Sequence, residues 1–263
     1  MRITYQNEEI FISTGGRELD KSAPVLCFIH GSGQSHLTFL QQGRFFANRG
    51  WQVINADMPA HGHSSGQALN TIADMADWYA GLLTALEIET AVIIGHSQGC
   101  LVGMALAQKH PQKVAKLCLI AGAMAIPVNE GLLSLAQAKP QKAYQAMVNW
   151  AHASDSHLYD HSWPGMTHID FGHQVMAAND SQALFADLSA CNDYHDGEEA
   201  AQAVRCPTIA ILASGDKMTP AKAGRMMAQM IANCEVHEIA DAGHFLPSER
   251  PFDVNVKIRN FVS

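Results

Sequence analysis

Short, mostly apolar runs recur along the chain, and each ends at glycine, proline or a polar loop. They cover residues 10–14, 25–29, 52–56, 91–94, 117–120, 208–213 and 236–239. Runs without regular polar alternation are typical of parallel strands that are covered by helices on both faces. The pattern therefore predicts the buried strands of a largely parallel sheet.

Helical patterns lie between these runs. Apolar residues repeat three and four positions apart over 72–86, after Thr71 as a candidate N-cap. A run of small residues covers 100–107, and segments 220–232 and 251–261 each begin with a proline, expected at the first helical position. Alternating strands and helices predict a doubly wound α/β domain.

Residues 125–202 break this alternation. They contain no β-branched run, and their helical stretches at 132–137, 141–153 and 182–191 are joined by polar loops. We expect a mostly helical insertion, a cap over 125–202, on a core formed by 1–124 and 203–263.

Length and composition agree with one large core and a smaller added unit, because the chain has 263 residues of which 48% are hydrophobic. The apolar runs are too short to span a membrane, and no apolar leader is visible. The six cysteines have no paired spacing, and several lie in apolar runs. We expect a reduced, cytoplasmic protein with no membrane partner.

Charge is distributed unevenly. The formal net charge of −8 argues against a nucleic-acid partner. Residues 125–200 contain ten acidic residues against two lysines and no arginine, whereas the rest of the chain is balanced. The different charge of this segment supports the predicted insertion.

The stretch Gly95-His96-Ser97-Gln98-Gly99 connects the fourth predicted strand to the helix that follows it. A serine at so sharp a turn takes strained backbone angles, and the residues two positions away on either side must carry almost no side chain. Gly95 and Gly99 meet this requirement. We interpret the stretch as a nucleophile elbow with Ser97 at its tip, which makes the chain a candidate hydrolase.

A serine nucleophile needs a base to take its proton and a carboxylate to orient that base. Asp216 follows the sixth predicted strand and His244 follows the last. Because the carboxyl ends of parallel strands lie at one edge of a sheet, Ser97, Asp216 and His244 can meet there. Their order along the chain is the one expected for this type of elbow.

The developing oxyanion needs two N–H donors. One candidate is the backbone N–H of Gln98, directly after the nucleophile. The other is expected in the loop His30-Gly31-Ser32-Gly33 after the second predicted strand, with Ser32 N–H favoured and Gly33 N–H next. We expect His30 to fix this loop by hydrogen bonding and His96 to pack beneath the elbow.

These motifs resemble the α/β-hydrolase superfamily, in particular its cap-bearing serine esterases and C–C hydrolases. The loop at 30–33, the stretch at 57–64, the elbow, the Gly215-Asp216 turn and the turn at 242–244 occur in the family's order. The resemblance implies an eight-stranded, mostly parallel sheet and a helical cap over the serine. Ala60 stands where the family usually has glycine, in a loop away from the chemistry.

Other candidates for the orienting carboxylate are weaker. Some members of this family carry it after the preceding strand, but residues 122–125 contain no carboxylate, which favours Asp216. We expect Asp241 to shape its turn and Glu249 to mark the start of the last helix.

The insertion carries six of the 14 histidines. His157 and His161 are four residues apart, a spacing that can bind zinc. No HExxH motif is present, Trp163-Pro164-Gly165 interrupts the local helix, and serine chemistry needs no metal. We therefore expect no metal or other cofactor, and a polar cap surface at these histidines.

The leading hypothesis is a cofactor-free serine hydrolase acting on a small ester or related acyl compound. The alternatives are a C–C bond hydrolase of vinylogous diketo acids, a lactonase or perhydrolase using the same triad, and a non-enzymatic ligand-binding or docking module. Diketo acids are anions that need cationic partners, which the insertion largely lacks, so we favour a neutral or apolar substrate. A minority of the large cap side chains should line its pocket. The candidates are Trp150, Tyr159, Trp163, Met166, Phe171, Met176 and Phe185.

Overall fold

A computed structural model describes residues 1–20, 22–154, 156 and 165–263. Its strands are β1 (Arg2–Tyr5), β2 (Glu8–Ser13), β3 (Val25–Ile29), β4 (Gln52–Ala56), β5 (Ala91–His96), β6 (Val114–Ile120), β7 (Thr208–Ala213) and β8 (Cys234–Ile239). They form one eight-stranded sheet in the order β1-β2-β4-β3-β5-β6-β7-β8. The β1–β2 and β2–β4 pairs are antiparallel and the others are parallel. This confirms the mostly parallel sheet, to which β1 adds a strand that the apolar pattern did not predict.

The helices are α1 (Leu40–Ala47), α2 (Ile72–Ala85), α3 (Gln98–Lys109), α4 (Glu130–Ala138), α5 (Pro140–Ala151), α6 (His168–Ala177), α7 (Ala183–Asn192), α8 (Gly197–Ala203), α9 (Ala221–Met230), α10 (Leu246–Glu249) and α11 (Pro251–Val262). Short 3-10 helices cover His36–Phe39 and Pro111–Lys113. The Thr71 side chain caps α2 by accepting from the Asp74 N–H. Pro251 is the first residue of α11 as predicted, but Pro220 is the N-cap of α9, because its backbone is still extended.

The sheet is covered on both faces, which explains the unbroken apolar runs. Successive residues of β3 point in opposite directions. Cys27 packs in the cluster that includes α2, α3 and α9, whereas Phe28 packs in the cluster that includes α1 and α11. Strands β4, β5 and β7 are therefore buried over their whole length, and β3 is buried except at its first residue.

Helices α4–α7, which we call the cap helices, follow β6 and share an apolar cluster of their own. Phe245, from the loop after β8, packs in that cluster and joins the cap helices to the core. Helix α8 contacts α3 and α9, and its Ala200 and Ala201 are buried in the sheet's own core. The predicted boundaries of the cap, 125 and 202, stay a prediction.

All six cysteines are free thiols. Burial raises the pKa of Cys27 and of Cys191 to about 12, so both thiols are protonated at neutral pH. Within the described ranges, no helix has both the length and the apolar character needed to cross a membrane.

Candidate active site

Ser97 lies at the turn between β5 and α3 with φ 55° and ψ −118°, in the left-handed region that side chains disfavour. Its N–H donates to the Ile120 carbonyl oxygen at 3.0 Å, which fixes the turn against β6. A Cβ on Gly95 would lie 2.1 Å from the Gly99 oxygen, and one on Gly99 would lie 2.2 Å from the Ile29 oxygen. Both positions therefore require glycine, in agreement with the interpretation of this stretch as an elbow.

The three residues predicted as a triad lie together at the carboxyl edge of the sheet. His244 Nε2 lies 2.9 Å from Ser97 Oγ, and His244 Nδ1 lies 2.9 Å from Asp216 Oδ2. All three residues are buried, with exposures of 6% for Ser97, 6% for Asp216 and 2% for His244. Both imidazole nitrogens are within hydrogen-bonding distance of the partners that proton transfer would need.

The Asp216 carboxylate is held by the turn that carries it. Its Oδ1 accepts from the N–H groups of Met218 and Thr219, and its Oδ2 lies 2.8 Å from Thr219 Oγ1. Burial by itself would raise the pKa of Asp216, but the nearby charge and hydrogen bond of His244 and the hydrogen bonds of Thr219 keep it below the ordinary value. Asp216 is therefore ionised at neutral pH and able to orient the imidazole. Asp241 is exposed instead, and its N–H bonds to the Ser214 hydroxyl.

The backbone N–H groups of the two residues predicted to bind an oxyanion differ in their hydrogen bonding from the N–H of Gly33, the residue after Ser32. Within the described part of the chain, the N–H groups of Ser32 and Gln98 donate to no protein acceptor. The N–H of Gly33, in contrast, donates to Asp187 Oδ2 at 2.7 Å. The structure thus leaves Ser32 N–H, the favoured candidate, available to a substrate and engages the second candidate.

His30 and His96 hold the loops around the serine. The Met58 N–H donates to His30 Nε2 at 3.2 Å, so Nδ1 carries the proton and donates to the Gly31 oxygen at 3.0 Å. Burial and the charge of nearby His61 lower the pKa of His30 to about 4. The loop at 30–33, the candidate oxyanion loop, is therefore tied to the start of the 57–64 stretch by a neutral histidine.

His96 is also fully buried. Its Nε2 donates to the His244 carbonyl oxygen at 2.7 Å, and its Nδ1 lies 3.1 Å from the side-chain amide of Gln34. Burial and the neighbouring imidazole of His244 lower the pKa of His96 to about 3, so it is neutral. It connects the elbow to the backbone of the candidate base.

Sequence reasoning missed the contacts between this base and the cap helices. The His244 N–H donates to the Ala151 oxygen at 2.7 Å, at the end of α5. Glu249 accepts from the N–H groups of Gly243 and Ala153 at 3.1 and 3.0 Å and from the Ser156 hydroxyl. Glu249 ends α10 and has no capping role in α11, so the expectation that it starts the last helix is wrong. The only sequence signal was a carboxylate close to the Gly243-His244 pair.

A cavity of about 80 Å³ opens onto Ser97 and His244. Its apolar wall comes mainly from the segment before α4, from the cap helices and from the turn after β7. These residues include Ile126, Val128, Leu132, Met147, Leu188 and Met218. No lysine or arginine lines the cavity among the residues that the structure describes. The site therefore suits a small group with little charge.

The predicted minority of cap side chains at the pocket includes Trp150, which is 50% exposed and lines the cavity. Phe171 and Met176 are buried elsewhere, and Met176 packs near Gly33 of the oxyanion loop. Tyr159 and Trp163 lie outside the described residues, as do His157 and His161, whose zinc-like spacing the sequence raised. The apolar residues that line the cavity from 126 to 132 are not aromatic, so the prediction from large cap side chains did not include them.

This sheet order, with an elbow after β5 and a histidine after β8, defines the α/β-hydrolase fold. A model of the alpha/beta hydrolase family matches residues 28–257, and the chain belongs to that family. A 2-hydroxymuconate semialdehyde hydrolase from Pseudomonas putida is 25% identical over 246 residues, 89% of this chain and 85% of that protein.

Two solved structures show the same fold. The enol-lactonase from Burkholderia xenovorans LB400 has a TM-score of 0.88 at 21% identity, over 100% of this chain and 99% of that one. A thermophilic esterase from Thermogutta terrifontis has a TM-score of 0.84 at 23% identity, over 100% of this chain and 97% of that one. These likenesses confirm the eight-stranded fold with its inserted helices.

Proposed function

We propose that this protein is a serine hydrolase that cleaves small esters or related acyl compounds through an acyl-enzyme. The observation that carries the proposal is the continuous contact from Ser97 Oγ through the His244 imidazole to Asp216 Oδ2, each step 2.9 Å. A buried imidazole between a hydroxyl and an oriented carboxylate is the arrangement that activates serine.

In the proposed reaction, Ser97 Oγ attacks the substrate carbonyl carbon while His244 Nε2 takes the hydroxyl proton. The N–H groups of Gln98 and Ser32 stabilise the negative oxygen of the tetrahedral intermediate. The intermediate breaks its bond to the leaving alcohol, which receives the proton from His244. Water then attacks the acyl-enzyme, gives a proton to His244, and the acid leaves as Ser97 regains its proton. Asp216 holds the imidazole in the tautomer that accepts at Nε2.

Cavity size and charge support a small, neutral or apolar acyl group. A space of about 80 Å³ without lysine or arginine among the described residues offers no partner for a substrate carboxylate. C–C hydrolysis of a diketo acid is therefore the less favoured alternative. A lactone is a cyclic ester that reacts by the same steps, so lactonase activity remains a close competitor, as does perhydrolase activity.

Labelling with a fluorophosphonate separates an enzyme from a non-enzymatic binding module. We expect the wild-type protein to be labelled at Ser97 and Ser97→Ala not to be labelled. We expect the same variant to lose at least about 10³-fold of kcat on p-nitrophenyl acetate. Full ester turnover by Ser97→Ala, or an unlabelled wild-type protein, would refute the proposal.

A substrate panel separates the reaction classes. It contains p-nitrophenyl esters, a lactone and a vinylogous diketo acid, all assayed by initial rates under identical conditions. The proposal expects the highest kcat/KM on a short ester. A strong preference for the diketo acid would replace it with C–C hydrolysis.

A further inference from the structure

Asp187, on cap helix α7, is fully buried and contacts both segments that carry the candidate oxyanion donors. Its Oδ2 accepts from the N–H of Gly33 at 2.7 Å, in the loop that also contains Ser32. Its backbone oxygen accepts from the side-chain Nε2 of Gln98 at 3.1 Å. One cap residue therefore touches the oxyanion loop and the first residue after the nucleophile.

A histidine from the core compensates the Asp187 charge. His61 Nε2 lies 2.9 Å from Asp187 Oδ2, and His61 Nδ1 lies 2.9 Å from the Pro59 oxygen. The Pro59 carbonyl can only accept, so Nδ1 donates to it, and Nε2 faces the Asp187 carboxyl oxygen that also accepts from Gly33. Burial alone would lower the pKa of His61, but the Asp187 charge and hydrogen bond raise it above its ordinary value. The pair is thus buried and hydrogen-bonded, and the Asp187 carboxylate favours the protonated form of His61.

The same face of α7 packs tightly against the oxyanion loop. Cys191, one helical turn after Asp187, has its Sγ 3.6 Å from Ser32 Oγ. Leu184, on the preceding turn, lies so close that a Cβ on Gly33 would be 2.8 Å from its Cδ1. The loop, with Gly33 at φ 64°, is therefore shaped against this helix and not by the core alone.

We propose that Asp187 is a positioning residue for the oxyanion hole. Its carboxylate fixes the Gly33 amide and its carbonyl fixes the Gln98 side chain, and together they set the directions of the Ser32 and Gln98 N–H groups. The inference rests on the proposed function, because only a reaction with a tetrahedral intermediate uses these donors. It makes cap helix α7 part of the catalytic architecture as well as a wall of the pocket.

Two variants of Asp187 test the proposal. Asp187→Asn can still accept from Gly33 through its amide oxygen but removes the carboxylate charge beside His61. Asp187→Leu has a similar size and removes both contacts of the carboxylate. The matched control is Asp193→Asn, which removes the same charge from the exposed C-cap of the same helix.

The readout is steady-state kinetics on p-nitrophenyl acetate, together with inhibition by phenylboronic acid. Phenylboronic acid forms a tetrahedral adduct with an active-site serine. We expect kcat to fall about tenfold in Asp187→Asn and about a hundredfold in Asp187→Leu, with KM changed less than about threefold. The inhibition constant for the boronate should rise in parallel with the loss of kcat, since both depend on the oxyanion hole. Asp193→Asn should behave as wild type in both assays.

A purely structural role for Asp187 would lower the thermal midpoint of both variants but leave kcat and boronate inhibition of the folded fraction within about twofold of Asp193→Asn. That result would overturn the proposal. Should Asp187→Leu fail to fold, Asp187→Asn decides alone by the same criterion. A wild-type protein without turnover and without fluorophosphonate labelling is a separate outcome, which refutes the proposed function and this inference with it.

Discussion

The backbone N–H of His244 donates a 2.7 Å hydrogen bond to the carbonyl oxygen of Ala151, the last residue of cap helix α5. The proposed base therefore belongs to a core loop whose backbone is anchored on the cap. On the other side of the cavity, Asp187 of α7 anchors the oxyanion loop. The cap helices thus contact the site at both the proposed base and the proposed oxyanion loop.

Replacing Gly243 with alanine should disturb this anchoring. A Cβ there would lie 2.4 Å from Ala153 N and 2.5 Å from the Ala151 oxygen, both of which are backbone atoms that cannot rotate away. We expect the free energy of unfolding to fall by about 1–3 kcal/mol and kcat to fall with it, because the His244 backbone must shift. Urea unfolding and ester kinetics measure the two effects.

The control for this variant is Gly131→Ala in cap helix α4. Among the residues that the structure describes, a Cβ there would meet only Asn129 Oδ1, at 3.3 Å. Stability should stay constant or rise by up to about 1 kcal/mol, since alanine is the better helix former. Equal losses in the two variants would contradict a specific role for Gly243.

Asp216→Asn should inactivate the protein without unfolding it. The N–H groups of Met218 and Thr219 point at Oδ1, so the amide oxygen of asparagine must take that position and its NH₂ must face His244 Nδ1. The imidazole then accepts at Nδ1 and carries its proton at Nε2, where it cannot take the Ser97 proton. We expect kcat on p-nitrophenyl acetate to fall about 10³–10⁴-fold.

Asp241→Asn provides the comparison, because it removes an exposed carboxylate three residues before His244. Its kcat should stay within about twofold of wild type. A comparable loss in this variant would mean that general charge near the loop, and not the orientation of His244, explains the effect of Asp216→Asn.

His96 should make the protein sensitive to acid. Its ordinary pKa of 6.5 is lowered to about 3 in the folded state, so only the unfolded chain binds this proton between those values. The contribution of His96 to stability is therefore complete above pH 6.5 and falls on acidification, by about 1.4 kcal/mol per pH unit. His30, with a pKa of about 4, acts in the same direction.

Urea unfolding at pH 6.5, 5.5 and 4.5 tests this effect. We expect His96→Asn to be less stable at pH 6.5 but to lose about 1 kcal/mol less per pH unit than wild type on acidification. His195→Asn, at an exposed position, should keep the wild-type slope. The effect of His61 on the pH dependence of stability has the opposite sign. Its raised pKa adds stability below pH 6.5, and this stability is lost at higher pH, as the imidazolium deprotonates. An unchanged slope in His96→Asn would contradict the prediction.

Acyl-chain preference should depend on Leu132, which lines the cavity from α4. With a cavity of about 80 Å³, we expect kcat/KM for p-nitrophenyl acetate to exceed that for the octanoate at least tenfold. Leu132→Ala should lower this acetate-to-octanoate ratio, because the smaller side chain enlarges the apolar cavity. Leu133→Ala is the matched control, because Leu133 packs on the same cap cluster without lining the cavity. Equal changes in both variants would assign the effect to loosening of the cap.

The sequence was informative wherever a local constraint repeats or is strict. Strands buried on both faces leave unbroken apolar runs, so all six parallel strands could be predicted, five of them within two residues at each end; β6 begins three residues before its predicted run. The elbow needs two glycines around one serine, and the acid and base follow strand ends, so Ser97, Asp216 and His244 could be named before their distances were known. β1, which alternates between exposed and half-buried residues, left no such signal.

Tertiary structure decided what the cap does. Asp187 lies in the segment whose many carboxylates supported the predicted insertion, and no pattern singled it out, yet it is fully buried against His61, a residue 126 positions away. Glu249 resembled a helix-start residue, yet it joins the Gly243 loop to the end of α5. Local sequence determines the backbone geometry and the spacing at which buried residues recur, since both depend on neighbouring residues. A buried charge and its partner are brought together only by the packing of distant segments, which no local pattern records.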